Sequence, residues 1–141
     1  MEAAVQFDAC AHARREISRW YDVFYGWSRG LVEPDDRVIR QIWEALTPDF
    51  RVVLTDGRML DRDEYWTRLS GLYGDRAGSP KSEVVNLVLR PLSRRDVLAT
   101  FDLIKPGVSQ KKFDTAILRS VPGQRYGMMW AYVHESAHEQ M

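Results

Sequence analysis

The sequence is poor in several residue types, and each shortage excludes a class of protein. Cys10 is the single cysteine among 141 residues, which excludes an intrachain disulfide and a cysteine-rich metal site. A lone thiol suits a reducing compartment. Twenty basic residues balance twenty acidic ones, so the formal net charge is zero. The chain therefore lacks the basic surface of a nucleic-acid-binding protein.

Long hydrophobic runs are also missing. No stretch approaches the roughly 20 apolar residues that span a bilayer. The first residues, MEAAVQFDACAHARR, contain an early acid and no continuous apolar run of signal-peptide length. We expect a soluble cytoplasmic protein with no membrane partner.

Sequence motifs for metals and cofactors are absent as well. The three histidines, His12, His134 and His138, fall near the two ends of the chain. The segments GWSRG and GQRYG lack the spacing of a phosphate-binding loop. We expect neither a metal nor a cofactor.

Aromatic residues are plentiful, and in the first half they follow a helical period. Apolar side chains from Ile17 recur every three or four residues, which predicts a helix with one buried face. A second helix is expected to begin at Asp35 or Asp36 and to stop at Pro48. A short strand and the Asp56-Gly57 turn come next, followed by a third helix that opens with an Asp61–Glu64 capping box.

The second half reads as strands at 83–92, 96–104, 112–120 and 126–136. The links between them are too short for parallel crossovers, so neighbouring strands must be antiparallel. The predicted class is α+β, with three helices packed on one face of a mostly antiparallel sheet. The first and last of these strands carry apolar residues on both faces, whereas a sheet with one wet face alternates more cleanly. The second apolar face predicts a partner, most simply a second copy in a homodimer.

This order of elements resembles the nuclear-transport-factor-like cone fold. The resemblance is carried by FRVVLTDGRMLDRDEYWTRL, by VVNLVL with Asn86, and by the terminal WAYVHES, and it covers about 13–136 of a single domain, 1–141. The superfamily includes ketosteroid isomerase, scytalone dehydratase, SnoaL-like polyketide cyclases and the association domain of calmodulin-dependent kinase. The resemblance implies a strongly bent, cystatin-like roll around a conical apolar pocket. Some members turn over small apolar molecules and others only associate, so the fold alone does not decide function.

Two strand carboxylates are candidates for proton transfer. Asp114 alternates with Ala116 and Leu118, so its face is expected to be buried, and its place resembles that of the catalytic aspartate in SnoaL-like cyclases. Asp102 resembles a strand carboxylate of some isomerase and dehydratase members. In an apolar cone, burial would move a carboxyl pKa toward neutrality. Both residues also have an ordinary interpretation as partners of a nearby lysine or of a backbone amide.

Helper residues are expected among the tyrosines and histidines. Tyr25 occupies the helix that supplies a phenol in isomerase members, although aromatics at helical spacing are often core. On strict alternation, His134 shares a face with Tyr132, Trp130 and Met128, at the pocket rim or at a partner interface. No histidine lies near Ser82, where the dehydratase members carry theirs, which disfavours dehydration.

These observations predict a protein that holds a small apolar or aromatic molecule, and two functions stay open. One is a cofactor-free isomerase or cyclase with Asp114 as general base, assisted by Tyr25 or His134. The other is a non-catalytic homodimeric association module whose cone is filled by side chains. The expected ligand-binding residues are Tyr21, Phe24, Trp43, Trp66, Asp102, Trp130 and Tyr132.

Overall fold

The computed structural model describes residues 8–107, 110–124 and 127–139. Two helices come first, α1 (Ala9–Ser28) and α2 (Asp36–Trp43), followed by strands β1 (Leu46–Val53) and β2 (Met59–Asp61) and helix α3 (Arg62–Ser70). Four long strands follow: β3 (Glu83–Pro91), β4 (Asp96–Ile104), β5 (Gln110–Ser120) and β6 (Met128–Glu139). The predicted α+β class is confirmed.

The helices begin where short acidic side chains supply the first turn with acceptors. Asp8 accepts from the Ala11 amide and Asp35 from the Arg37 amide. The predicted capping box of α3 is confirmed, because Asp61 and Glu64 bond each other's backbone amides at 2.8 and 2.9 Å. None of the described helices is long and apolar enough to cross a membrane.

Six strands form one curved sheet in the order β2-β1-β6-β5-β4-β3. Every neighbouring pair is antiparallel except β1 and β6, which run parallel. Helix α2 ends at Trp43, and Pro48 lies inside β1 rather than terminating the helix. The β1–β6 register shifts between Leu46 and Arg51, and this irregularity accommodates a proline that has no amide to donate.

The core lies between the helices and one face of the sheet, hereafter the inner face. Ile17 and Trp20 of α1 and Tyr65 and Leu69 of α3 pack toward this face. The indole of Trp27 donates to the Leu69 carbonyl at 2.9 Å, which joins α1 to α3. Alternate residues of β4 and β5 complete the core, and all are at most 7% exposed: Val97, Ala99, Phe101, Leu103, Asp114, Ala116 and Leu118.

The segment 71–82 is fastened to the C-terminal end of α1. The amides of Gly74 and Arg76 donate to the carbonyls of Trp27 and Ser28 at 3.0 and 2.8 Å. The guanidinium of Arg29 donates to the carbonyls of Ser79 and Pro80. These hydrogen bonds hold the segment against the C-terminal end of α1.

Candidate functional site

Asp114 lies on the inner face of β5 and is 1% exposed. The sequence alternation Asp114, Ala116, Leu118 puts the carboxyl on the same face as the core, as predicted. Its Oδ2 accepts from the hydroxyl of Tyr21 on α1 at 3.3 Å. Its Oδ1 is buried and has no hydrogen-bond partner among the described residues. A buried carboxyl oxygen without a donor is costly when it is charged.

Glu135 on β6 faces Asp114 directly across the strand pair. Its side chain is 13% exposed and pairs with the Lys112 ammonium at 3.3 Å. Lys112 precedes Asp114 by two residues on the same face of β5, so one cation serves two neighbouring carboxylates. Together these side chains form a small charged cluster on the otherwise apolar inner face.

Burial raises the pKa of Asp114 from 3.8 to about 7. Lys112 opposes this rise through its positive charge, Glu135 adds to it through its negative charge, and the Tyr21 hydroxyl lowers the pKa by hydrogen bonding. The pKa of Tyr21 itself is raised well above 10 by burial and by the charge of Asp114. A carboxyl that titrates near neutrality is suited to both accepting and returning a proton.

Two neighbouring hollows lie beside this cluster. The larger has a volume of about 160 Å³ and opens between α1, α3, the segment 71–82 and the ends of β4 and β5. The smaller, about 10 Å³, lies against Asp114. Four residues line both hollows and separate them: Trp20, Tyr21, Tyr65 and Glu135. Asp114 therefore lies one side chain behind the wall of the larger cavity.

Five of the ten predicted site residues line these hollows. Tyr21, Phe24 and Tyr25 border the larger cavity, whereas Trp130 and Asp114 border the smaller. The indole of Trp130 donates to the carboxylate of Glu16 at 2.8 Å, which fixes the ring against α1. The charged groups of Arg29 and Lys81 lie over the ring of Tyr25, 4.9 and 5.6 Å from its centre. This cationic edge of the larger cavity is hereafter called its mouth.

The predicted common face for Trp130, Tyr132 and His134 is wrong. Ile117 of β5 pairs with Tyr132 and the next residue, Leu118, pairs with Trp130, so β6 carries an extra residue, a β-bulge. A bulge reverses the alternation of side chains beyond it. Trp130 consequently faces inward, whereas Tyr132 and His134 lie on the outer face, where the Tyr132 hydroxyl is 3.3 Å from Nδ1 of His134. Neither borders the hollows.

Asp102 also lies on the outer face, opposite Phe113. Its Oδ2 accepts from the side-chain amide of Asn86 at 2.8 Å and lies 3.7 Å from the ammonium of Lys111. Asn86 has a positive φ of 56° at a second bulge, in β3. The ordinary interpretation of Asp102, a carboxylate paired with a nearby lysine, matches this geometry.

Trp43 on α2 and Trp66 on α3 lie beside each other, and Trp66 is partly buried against the core. Their rings are 6.4 Å apart, and the guanidinium groups of Arg40 and Arg62 lie over them. The indole of Trp43 donates to Asp63 at 3.3 Å, at an exposed site. Their expected place on the pocket wall is wrong, because neither lines the two hollows beside Asp114. On α2 the side that faces the core is formed by Ile39 and Ile42.

Sequence reasoning missed Glu135, Lys112 and Tyr65 as site residues. Alternation places Glu135 on the opposite face of the strand from its neighbour His134 and gives no further signal for it. Its register opposite Asp114 could have revealed it, because residues opposite each other in an antiparallel pair share a face. Tyr65 follows the apolar spacing of its helix like any aromatic residue of the core, so the sequence alone does not distinguish a site residue from a core residue here.

Comparison with known proteins gives a fold assignment. No protein-family model matches the chain, and no curated protein matches it. A solved structure from Pseudomonas aeruginosa, described as an NTF-2-like protein of unknown function, superposes with a TM-score of 0.78 at 17% identity, covering 90% of this chain and 98% of that one. The chain has the NTF2-like fold. The predicted cone-shaped roll is thereby confirmed.

Other proteins with the NTF2-like fold carry names from different functional classes. A candidate ketosteroid isomerase from Parabacteroides distasonis has a TM-score of 0.65 at 11% identity and covers 96% of this chain and 92% of that one. A candidate calmodulin-dependent kinase II association domain from Exiguobacterium sibiricum has a TM-score of 0.60 at 12% identity and covers 100% of this chain and 99% of that one. At these identities the likeness establishes the NTF2-like fold alone.

Proposed function

We propose that this protein binds a small, mainly apolar molecule in the larger cavity and moves a proton on it without a cofactor, as an isomerase or cyclase does. The observation that carries the proposal is Asp114, a carboxyl with a pKa of about 7 buried directly behind the cavity. A general base is most effective when its pKa lies near the working pH. The isomerase name carried by one structural neighbour agrees with this choice.

The geometry suggests how Asp114 would reach a bound molecule. Tyr21 borders both hollows and already contacts Asp114. A rotation of its ring would open the wall and bring the carboxyl to the cavity, leaving the phenol to donate to a developing oxyanion. Tyr21 therefore replaces Tyr25 and His134 as the proposed helper.

The reaction class is proton abstraction from carbon next to a carbonyl group. Ser82 lines the cavity, at the place where dehydratases of the resembling superfamily carry a histidine, so dehydration remains disfavoured. A single carboxyl of this kind can remove a proton from one carbon and return it to another, which completes an isomerisation without any further reactant.

Deuterium uptake tests this proposal. Single-ring ketones are incubated in D2O with the wild type, with Asp114→Asn and with Asp75→Asn, an exposed control, and mass spectrometry follows the label. The wild type and the control are expected to speed exchange on at least one ketone, and Asp114→Asn to slow it about 100-fold or more. Equal rates with Asp114→Asn, or no enzymatic exchange on any ketone, would contradict the proposal.

A second candidate function, homodimeric association, rests on the outer face of the sheet. Val88 and Phe113 are 54% and 37% exposed there, and Leu98, Ile117 and Tyr132 share the face by register. The helices cover only the inner face, so a second copy of this sheet is the proposed occupant. The association-domain name of one structural neighbour agrees with it.

Sedimentation velocity tests the dimer. The wild type is expected to sediment as a dimer and Phe113→Lys as a monomer, because the lysine replaces an exposed apolar ring of the outer face with a charge. Arg94→Gln, on the exposed turn between β3 and β4, is the control. A monomeric wild type, or a dimeric Phe113→Lys protein, would contradict the proposal that this face forms a dimer interface.

A further inference from the structure

We infer that the cone selects small organic acids, taking a single-ring or similarly sized apolar body inside and holding a carboxylate at its mouth. This inference rests on the proposed function, because it treats the larger cavity as the place where the substrate binds. It adds the chemical class of the substrate, which the buried carboxyl alone does not give.

The charge on the cavity wall is strongly one-sided. Six basic side chains line it, and Glu135 is the one acidic side chain among its described lining residues. The whole chain, by contrast, has equal numbers of basic and acidic residues. The six cations come from α3, β5, the segment 71–82 and the residues that directly follow α1 and β4: Arg29, Arg68, Arg76, Lys81, Lys105 and Lys112.

Three of the six are already engaged within the protein. Arg29 donates to the carbonyls of Ser79 and Pro80. Lys81 pairs with Asp22, and Lys112 pairs with Glu135. These three cations form contacts within the protein, so their positions do not require a bound ligand.

The other three, Arg68, Arg76 and Lys105, have no carboxylate within 4.0 Å in the part of the chain that the structure describes. Burial and the positive charges of Arg76, Lys112 and Arg29 lower the pKa of Lys105. Like charges gathered around a partly enclosed space repel one another, and an anion placed between them relieves that repulsion. The mouth is thus built to receive negative charge.

The apolar part of the wall sets the size of the rest of the ligand. Phe24, Leu54, Leu72 and Leu103 border the cavity together with the ring of Tyr21. Its volume of about 160 Å³ matches the roughly 150 Å³ that accommodates benzene in an engineered protein cavity. A single ring therefore fits this space.

Charge also fixes the direction of binding. Near Asp114 the wall carries two carboxyl groups, Glu135 and Asp114, with Lys112 as their shared cation, whereas Arg68, Arg76 and Lys105 line the cavity with no carboxylate within 4.0 Å among the described residues. The acid group therefore stays outside and the ring points toward Tyr21 and Tyr65. In this orientation the atoms farthest from the carboxylate lie nearest Asp114.

Calorimetric titration with benzoate and with benzamide tests the inference, because the two have nearly the same shape and differ in charge. Benzoate is expected to bind the wild type about tenfold more tightly at low salt, as for a charge-assisted contact, and to lose this advantage at high salt. Arg76→Gln and Lys105→Gln are each expected to weaken benzoate binding roughly fivefold and to leave benzamide unchanged. Unchanged benzamide binding also verifies that the variants are folded.

Arg94→Gln is the matched control, since it removes one positive charge at the opposite end of β4, about 25 Å along the strand. Equal affinity for benzoate and benzamide would overturn the preference for acids and leave the pocket function standing. A benzoate preference that survives in both Arg76→Gln and Lys105→Gln would also overturn it, because other groups would then hold the carboxylate. Binding of neither compound would overturn both the inference and the proposed function.

Discussion

Replacing Asp114 by asparagine is expected to remove a pH dependence from the stability of the protein. In the folded state burial raises the pKa of Asp114 to about 7, against 3.8 for an ordinary aspartate. Between these two values the folded protein keeps a proton that the unfolded chain has lost. The free energy of unfolding therefore falls as the pH rises through this window, and it levels off above pH 7.

The magnitude follows from the two pKa values. Their difference corresponds to about 4 kcal/mol in total, of which about 3 kcal/mol is lost between about pH 5 and about pH 8. Asparagine has nearly the same shape and no charge, so this loss disappears. The asparagine side chain also puts a buried polar atom at the position of Oδ1, where no hydrogen-bond partner is present among the described residues. This lowers the free energy of unfolding by about 1–3 kcal/mol at every pH. The pH profile, rather than the absolute stability, is the informative quantity.

Urea unfolding followed by tryptophan fluorescence measures the profile for the wild type, Asp114→Asn and the exposed control Asp75→Asn. The wild type and the control are expected to lose about 3 kcal/mol more than Asp114→Asn between about pH 5 and about pH 8. Parallel profiles for the wild type and Asp114→Asn would refute the reasoning, because Asp114 would then titrate alike in the folded and unfolded states.

Two further predictions concern the residues that hold this site. Tyr21→Phe is expected to raise the pKa of Asp114, because the Tyr21 hydroxyl lowers it. The pH range in which the free energy of unfolding falls should then shift upward in urea unfolding. An unchanged range would contradict a hydrogen bond between Tyr21 and Asp114. Trp130→Phe is expected to lower the free energy of unfolding by about 2 kcal/mol, because buried Glu16 loses its indole donor. Urea unfolding compares it with Trp43→Phe, and equal losses would contradict that role.

Much of the fold was predictable from sequence because local signals agreed with tertiary structure. The capping box at Asp61, the four long strands and their antiparallel links all follow from neighbouring residues. The inner position of Asp114 followed from its alternation with Ala116 and Leu118, since β5 runs without a bulge from Asp114 to Ile117.

The errors on β6 share one physical cause. A bulge depends on how two strands pair rather than on the composition of either, so alternation across it assigned Tyr132 and His134 to the wrong face. On α2, both Ile42 and Trp43 fit an apolar helix, but only Ile42 is fully buried. The Trp43 ring is covered instead by the guanidinium groups of Arg40 and Arg62.

The cations at the mouth were beyond sequence reasoning for a different reason. Arg68, Arg76 and Lys105 come from α3, from the segment 71–82 and from the residue after β4, and no spacing rule joins them. They meet because the segment 71–82 is bonded to the end of α1. Such a site depends on tertiary structure alone.

The most direct test of a proton-transfer site in the cone is the titration of Asp114 itself. Carbon-13 NMR of the side-chain carboxyl, assigned by comparison with Asp114→Asn, gives its midpoint in the intact protein. A midpoint near 7 is the result expected for a dry carboxyl behind the cavity. A midpoint near 4, the value of an ordinary solvated aspartate, would contradict the account, because Asp114 would then be ionised and hydrated throughout the neutral range.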